Sequence, residues 1–337
     1  MIIAVDAAGG EYAPHEVIKG AIKAAREYQV EIALVGRKEI LYVQAGRHLG
    51  KLGMTIIDAN DVIGPDEPPI EAVDSKPNSS IVIGVNLVKD GAASAFVSAG
   101  NTGAMLYSSF IILGKIPGVD RPAIGSLITI NTGSPVLLID SGANANCRPH
   151  HLVQFAQLGS TYFHGLFGID APRVSLLNTG EEESKGNSLA QESYQLLKKT
   201  DLNFTGNIEG QDIARGKTDV IVTDGFTGNI LLKTLEGISA HWLYSLLQSG
   251  QVFSKAYRLS LQALNRDIGM DAWAKRLDYR ESGGACLLGV NGNIIIAHGR
   301  SQATAIKNAI GLAKQTVEQN IRDNIMEDTY EQTGISG

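Results

Sequence analysis

Residues 220–229 read Val-Ile-Val-Thr-Asp-Gly-Phe-Thr-Gly-Asn, a short apolar run that stops in a small, polar, glycine-rich turn. The same grammar recurs in IIAV before Asp6-Ala7-Ala8-Gly9-Gly10, AFV before Ser98-Ala99-Gly100-Asn101-Thr102-Gly103, VLLI before Asp140-Ser141-Gly142-Ala143-Asn144, and SLL before Asn178-Thr179-Gly180-Glu181. Most of these turns lead into a stretch that reads as helix, so each is a strand, a tight turn and a helix start. A parallel α/β sheet gathers such turns at the carboxyl ends of its strands, where ligands bind. The repetition therefore predicts an α/β fold with one shared site.

Working outward, 337 residues with 44% hydrophobic content are enough to fill a large core. No linker rich in Ser, Gly or Pro divides the chain, so we read 1–337 as a single two-lobed α/β unit. The formal net charge of −6 leaves no global basic field for a nucleic acid backbone. Cys147 and Cys286 form no CxxC and read as small structural thiols of a reducing cytoplasm. The amino terminus carries no basic or long apolar leader, and no window reaches the roughly 18 apolar residues of a membrane span.

Helices are expected at Ala13 to Tyr28, Ser79 to Lys89, Thr102 to Leu113 and Asn187 to Lys199, with a long terminal helix from Ser301 to Met326. Asn131 to Pro135 has the chemistry of a tight turn between two strands, which makes the sheet mixed though mostly parallel. Asn291-Gly292-Asn293 is a second hairpin signal. Phe204 to Asn207 reads as a connection. The stretch 236–276 stands apart as a protruding helical hairpin: between Glu236 and Asp267 it has no acidic residue, and its apolar side chains must pack on something.

Glycine turns followed by helices bring backbone N–H groups and a positive helix end to an anion, which suits phosphate. Neither GxGxxG after a strand nor the P-loop pattern is present, so ordinary nucleotide chemistry is disfavoured. The turn side chains are amides, hydroxyls and carboxylates: Asn101, Thr102, Asp140, Asn144, Asn178, Asp224, Thr227 and Asn229. Lys185, in Glu181-Glu182-Glu183-Ser184-Lys185, either reaches an anion or simply offsets the glutamates. Three consecutive carboxylates seldom aim at one ion, so no metal is expected. His150, His151 and His298 read as structural histidines, and GxSxG is missing.

AVDAAGGEYAP (4–14), SAGNTGA (98–104), DRPA (120–123), DSGAN (140–144), NTGEEESKGN (178–187), TDGFTGN (223–229), GGA (283–285) and AHG (297–299) follow the order and spacing of one family. In these motifs the chain resembles the bacterial phosphate acyltransferases over its whole length. The resemblance implies a Rossmann-like three-layer αβα fold, similar to isocitrate and isopropylmalate dehydrogenases and to phosphotransacetylase. It implies conversion of acyl-acyl carrier protein and inorganic phosphate to acyl phosphate, with no cofactor. It also implies a homodimer in the cytoplasm, peripherally associated with the membrane and serving a glycerol-3-phosphate acyltransferase downstream in phospholipid synthesis. The family commonly has Met where Ala8 stands, Asp and His where Glu11 and Tyr12 stand, and Asp where Asn146 stands, so no role is carried to those positions.

With that reaction, Lys185 and the N–H groups of Gly103, Gly225 and Gly228 are expected to hold phosphate, and Asn229 or Asn101 to donate to the oxyanion. Asp224 and Asp140 would orient them, with Thr102, Asn144, Asn178, Glu182 and Thr227 lining the substrate. Two other readings stay open at this level: a phosphotransacetylase-like enzyme acting on acyl-coenzyme A, and a non-catalytic membrane-associated scaffold for lipid enzymes. The carboxylate-free stretch 237–266, with Lys255, Arg258 and Arg266, would receive the acidic carrier, anionic lipid or a second subunit.

Overall fold

In the computed structural model, which describes residues 1–129, 135–238 and 283–333, every apolar run quoted above is a strand. The strands are β1 (Ile2–Asp6), β2 (Glu31–Gly36), β3 (Met54–Asp58), β4 (Ala95–Ser98), β5 (Ala123–Ile128), β6 (Val136–Ile139), β7 (Val174–Leu177), β8 (Phe204–Ile208), β9 (Val220–Val222), β10 (Ala285–Leu288) and β11 (Ile294–Ile296). They form one 11-stranded sheet in the order β3-β2-β1-β4-β11-β10-β5-β6-β9-β7-β8. The helices are α1 (His15–Tyr28), α2 (Lys38–Ala45), α3 (Pro69–Ser75), α4 (Ser80–Lys89), α5 (Thr102–Ile112), α6 (Pro149–Phe167) and α7 (Ser188–Leu197). Then come α8 (225–238), α9 (Ala303–Glu318) and α10 (Ile321–Thr333).

Alternation along the strands produces the three layers. Ile3, Val5 and Val97 share one apolar cluster with α1, α6 and α9, whereas Ala4 and Phe96 point the other way and pack with Val85 of α4 and Met105 of α5. Leu138 and Ile221 join that second side through Leu231, Leu232 and Leu235 of α8. Helices thus cover both faces of a mixed, mostly parallel sheet.

Strand direction divides the expected site. β3, β2, β1, β4 and β11 run parallel, and β10 is antiparallel to both β11 and β5. The β5–β6 pair is antiparallel again, and β6, β9, β7 and β8 then run parallel to one another. The carboxyl ends of β1 and β4 therefore face one edge, and those of β6, β7 and β9 face the opposite edge. The five turns do not share one edge; they form two groups.

Other differences are local. Phe204 to Asn207 belongs to a strand rather than a connection, pairing with β7. The terminal helix is broken between α9 and α10, where Asn320 takes a left-handed φ of 50° that ends the first helix. The hairpin tip 131–134, and nearly all of the helical hairpin expected at 236–276, lie outside the described residues. Among the described residues no helix is long and apolar enough to cross a membrane.

Phe96 is fully buried, and its ring lies where any side chain on Gly84 of α4 would have to go. Phe96→Ala should lower the unfolding free energy by about 3–5 kcal/mol through transfer loss and a cavity, as measured by denaturant titration.

Candidate functional site

The second group of turns is built on Asp140. Its carboxylate is fully buried, and Oδ1 accepts the N–H groups of Ile124 (3.1 Å), Gly142 (3.0 Å) and Ala143 (2.9 Å). Oδ2 accepts the Asn144 N–H at 2.7 Å and the Asn144 side-chain amide at 2.9 Å. That amide also donates to the Pro122 carbonyl at 2.8 Å, so both of its protons are engaged. Asp140 and Asn144 thus spend their side-chain hydrogen bonds on the surrounding backbone and on each other, and form a buried floor at this strand end.

The amino end of α8 rests on this floor. An added Cβ on Gly225 would stand 2.8 Å from Asp140 Oδ2 and 2.7 Å from the Asn144 nitrogen, and one on Gly228 would collide with the Asp140 carbonyl oxygen. Only glycine permits that approach. The Gly225 N–H donates to the Asn144 carbonyl (2.8 Å) and the Gly228 N–H to the Asp224 carbonyl (2.9 Å), so neither aims outward as expected. Asp224 caps the helix, taking the Thr227 N–H at 2.9 Å and the Thr227 hydroxyl at 2.8 Å. Asn229 donates once, at 3.3 Å, to the Ser141 carbonyl, which leaves its second amide proton open among the described residues.

Beside this helix start lies the turn after β7. Asn178 donates to the Lys185 carbonyl at 3.1 Å and shapes the loop. The three glutamates diverge: Glu181 pairs with Lys217 (2.9 Å), Glu182 with Lys185 (3.7 Å) and Glu183 with Lys198 (2.7 Å). They make no common ion site. The Lys185 ammonium is half exposed, and its one ion pair is the loosest of the three. A pair of that length between exposed groups is worth little and yields readily to a stronger anion.

The first group uses the same device with different occupancy. Asp6 is buried, accepts the Ala8 and Gly9 N–H groups at 3.0 Å and the Ser98 hydroxyl at 2.6 Å, and burial raises its carboxyl above the usual range. Asn101 caps α5 through the Ala104 N–H at 3.0 Å, while its amide donates to the carbonyls of Gly64 (3.0 Å), Pro65 (3.3 Å) and Glu67 (3.1 Å). Pro69 lies directly against Gly103. The proline loop thus holds the α5 terminus, and the Asn101 amide is already committed. Thr102 is exposed beside it.

α8 joins the two groups. Its start sits on Asp140, and near its far end Glu236 Oε2 lies 3.7 Å from His298 Nε2, just beyond β11. The eleven helical steps from residue 225 to residue 236 separate them by about 16 Å.

A cluster that sequence reasoning missed is Asp120 with His150 and His151, whose ligand atoms lie within 4.8 Å of one another. Asp120 Oδ2 is 2.9 Å from His151 Nε2 and 3.2 Å from His150 Nε2. His151 Nδ1, however, accepts the Arg148 N–H at 2.9 Å. The neutral ring must then carry its proton on Nε2 and donate to Asp120, which suits a buried hydrogen bond and not a metal ligand. The two histidines hold the Asp120 carboxyl below its usual range. Only the DRPA and Pro-His-His segments hinted at this pairing, and they lie too far apart in sequence for spacing to reveal it.

β7 and β9 are neighbouring parallel strands, so the turn that carries Lys185 and the start of α8 that carries Asn229 lie at one edge of the sheet. The profile of a family described as "Fatty acid synthesis protein" matches residues 1–324. A phosphate acyltransferase of Dehalococcoides mccartyi is 55% identical over 333 residues, covering 99% of this chain and 96% of that protein. One from Desulforamulus reducens is 47% identical over 336 residues, covering 99% and 98%. The chain belongs to the phosphate acyltransferase family. Its fold is shared with a phosphotransacetylase from Streptococcus pyogenes, at a TM-score of 0.61 and 20% identity over 94% of each chain. It is shared also with a branched-chain phosphotransacylase from Enterococcus faecalis, at 0.58 and 13% identity over 94% of this chain and 99% of that one.

Two outcomes follow from the geometry. Asp140→Asn puts an amide N–H among five N–H donors and should cost at least about 3 kcal/mol of stability, read by thermal and denaturant unfolding. Cys147, whose Sγ lies 3.4 Å from the Asn144 carbonyl, is pushed up to about 11, chiefly by burial and next by Asp140. Its thiolate fraction is negligible at neutral pH and grows only as pH approaches that value. Iodoacetamide at pH 8 should therefore spare activity, and Cys147→Ser should turn over normally.

Proposed function

We propose that this protein transfers an acyl group from acyl-acyl carrier protein to inorganic phosphate, releasing acyl phosphate and the free carrier thiol. The observation that carries the reading is the α8 start seated on Asp140, with Asn229 on that helix and the turn of Lys185 at the neighbouring strand end. Phosphate near neutral pH is largely a dianion, so the enzyme must chiefly place one oxygen against the thioester carbonyl. Lys185 leaves Glu182 to hold the phosphate, and the positive end of α8 faces the same charge.

A phosphate oxygen forms a bond to the carbonyl carbon, and the carbonyl electrons move onto oxygen. The open proton of Asn229 stabilises that oxyanion. The intermediate collapses with cleavage of the carbon–sulfur bond, and the departing thiolate takes a proton from water. Asp140, Asn144, Asp224 and Thr227 act beneath this step by holding α8. Asn101, Thr102 and Gly103, on the other group of turns, lie along the path of an elongated acyl-pantetheine arm. The protein works as a homodimer at the membrane surface, and its labile anhydride product passes to a glycerol-3-phosphate acyltransferase.

Lys185→Ala and Asn229→Ala should each lower kcat at least about a hundredfold, the scale of one lost oxyanion donor, with unfolding midpoints unchanged. The assay is phosphate-dependent release of carrier thiol. Wild-type turnover in either variant would remove that residue from the mechanism, and equal kcat/KM on acyl-carrier and acyl-coenzyme A would favour a phosphotransacetylase-like enzyme.

A further inference from the structure

Lys185 has a fixed stem and a free head. Its N–H donates to the Glu182 carbonyl at 3.1 Å, and its own carbonyl accepts the Asn178 amide at 3.1 Å. On either side, the carbonyls of Ser184 and Gly186 accept the Gln191 side-chain amide at 2.6 and 3.2 Å. The ammonium, by contrast, is half exposed, and its pair with Glu182 is 3.7 Å long. Backbone groups of an exposed turn can bond to water instead, and ordering side chains on them costs conformational entropy. A loop held this way around a loosely paired lysine is built to place that lysine.

Two further anchors reach the loop from outside it. Asn207, on β8, donates its amide at 2.8 Å to the same Glu182 carbonyl that takes the Lys185 N–H. Its Oδ1 is buried and accepts no hydrogen bond among the described residues. Lys217, just before β9, places Nζ 2.9 Å from Glu181 Oε1 and 2.9 Å from Asp212 Oδ1. Exposed ion pairs contribute little, but Asp212 is only 1% exposed, and Arg215 Nη1 also reaches its Oδ1 at 2.8 Å. The Lys217 ammonium is thus pinned to a buried carboxylate and holds Glu181 in turn.

The sheet explains why these two residues matter. β7 lies between β9 and β8, so the loop that follows β7 is gripped from the chain segments of both neighbouring strands. β9 leads directly into α8, so Lys217 ties the Lys185 loop to the segment that carries Asn229. We propose that Asn207 and Lys217 are positioning residues for acyl transfer: they fix the loop 181–186 so that the Lys185 ammonium is in place at the α8 start before phosphate arrives. The assignment rests on the reading above that Lys185 holds phosphate. Both residues act through Lys185, since an ordered stem lowers the entropy lost on binding, and a misplacement of about 1 Å at a reacting group can cost a hundredfold in rate.

A double-mutant cycle tests this coupling. Asn207→Leu keeps the branching of the side chain and removes its donor, while the Glu182 carbonyl retains the Lys185 N–H. Lys217→Met removes the ammonium and leaves Arg215 to pair with Asp212. Each change is made in wild type and in Lys185→Ala, and read by phosphate-dependent thiol release and by thermal unfolding. The expected result is a kcat/KM for phosphate lowered at least about tenfold in each single variant, with melting temperature and the KM for acyl-carrier unchanged. Added to Lys185→Ala, neither change should lower the rate further. An unchanged kcat/KM for phosphate overturns the assignment of that residue. The same fold-loss with and without Lys185 overturns it too, as does a loss that follows a lowered melting temperature in both variants. Wild-type turnover in Lys185→Ala alone would instead defeat the phosphate-site reading on which the proposal stands.

Discussion

One buried carboxylate organises the chemistry of this molecule. Asp140 gathers five N–H donors around oxygens that water cannot reach, and a buried charge is tolerable only when it is so fully satisfied. The turn it rigidifies offers a flat backbone surface, and two glycines let α8 settle on that surface. Asn229 begins the second turn of that helix and donates to the Ser141 carbonyl, so the position of its amide is inherited from the Asp140 turn. In the proposed mechanism a lysine on the adjacent turn completes an anion site whose parts come from three separate strand ends.

The reversal between β5 and β6 gives the sheet two carboxyl edges, and α8 spans from one to the other. This suits a reaction whose substrates differ in shape. Phosphate is compact and needs a focused cluster of donors, whereas an acylated pantetheine arm is long and needs a track. The turns around Asp6 and Asn101 spend their donors on the proline loop and on one another, which fits them to shape a channel more than to grip an anion.

Much of this was legible in the residues. Strand ends announced themselves because an apolar run cannot continue through Asp, Gly and Asn, and Asn291-Gly292-Asn293 does join two antiparallel strands. Ser79, Asn101 and Asn187 accept the N–H that marks them as helix caps. The division into two edges was not legible, since glycine turns look alike whichever way their strand points. Nor were the internal duties of Asn101, Asn144 and Gly225, because sequence shows which donors exist but not which are already spent. Asp120 with His151 is a partnership of distant segments, visible only once the start of α6 meets the segment that precedes β5.

The central claim is that phosphate binds where α8 begins. The most direct measurement is the position of orthophosphate in crystals grown or soaked with it. The account predicts a phosphate within hydrogen-bond distance of Lys185 Nζ and the Asn229 amide, with Lys185 drawn away from Glu182. Phosphate bound instead at the α5 start beside Thr102 and Gly103, with Lys185 still on Glu182, would contradict it.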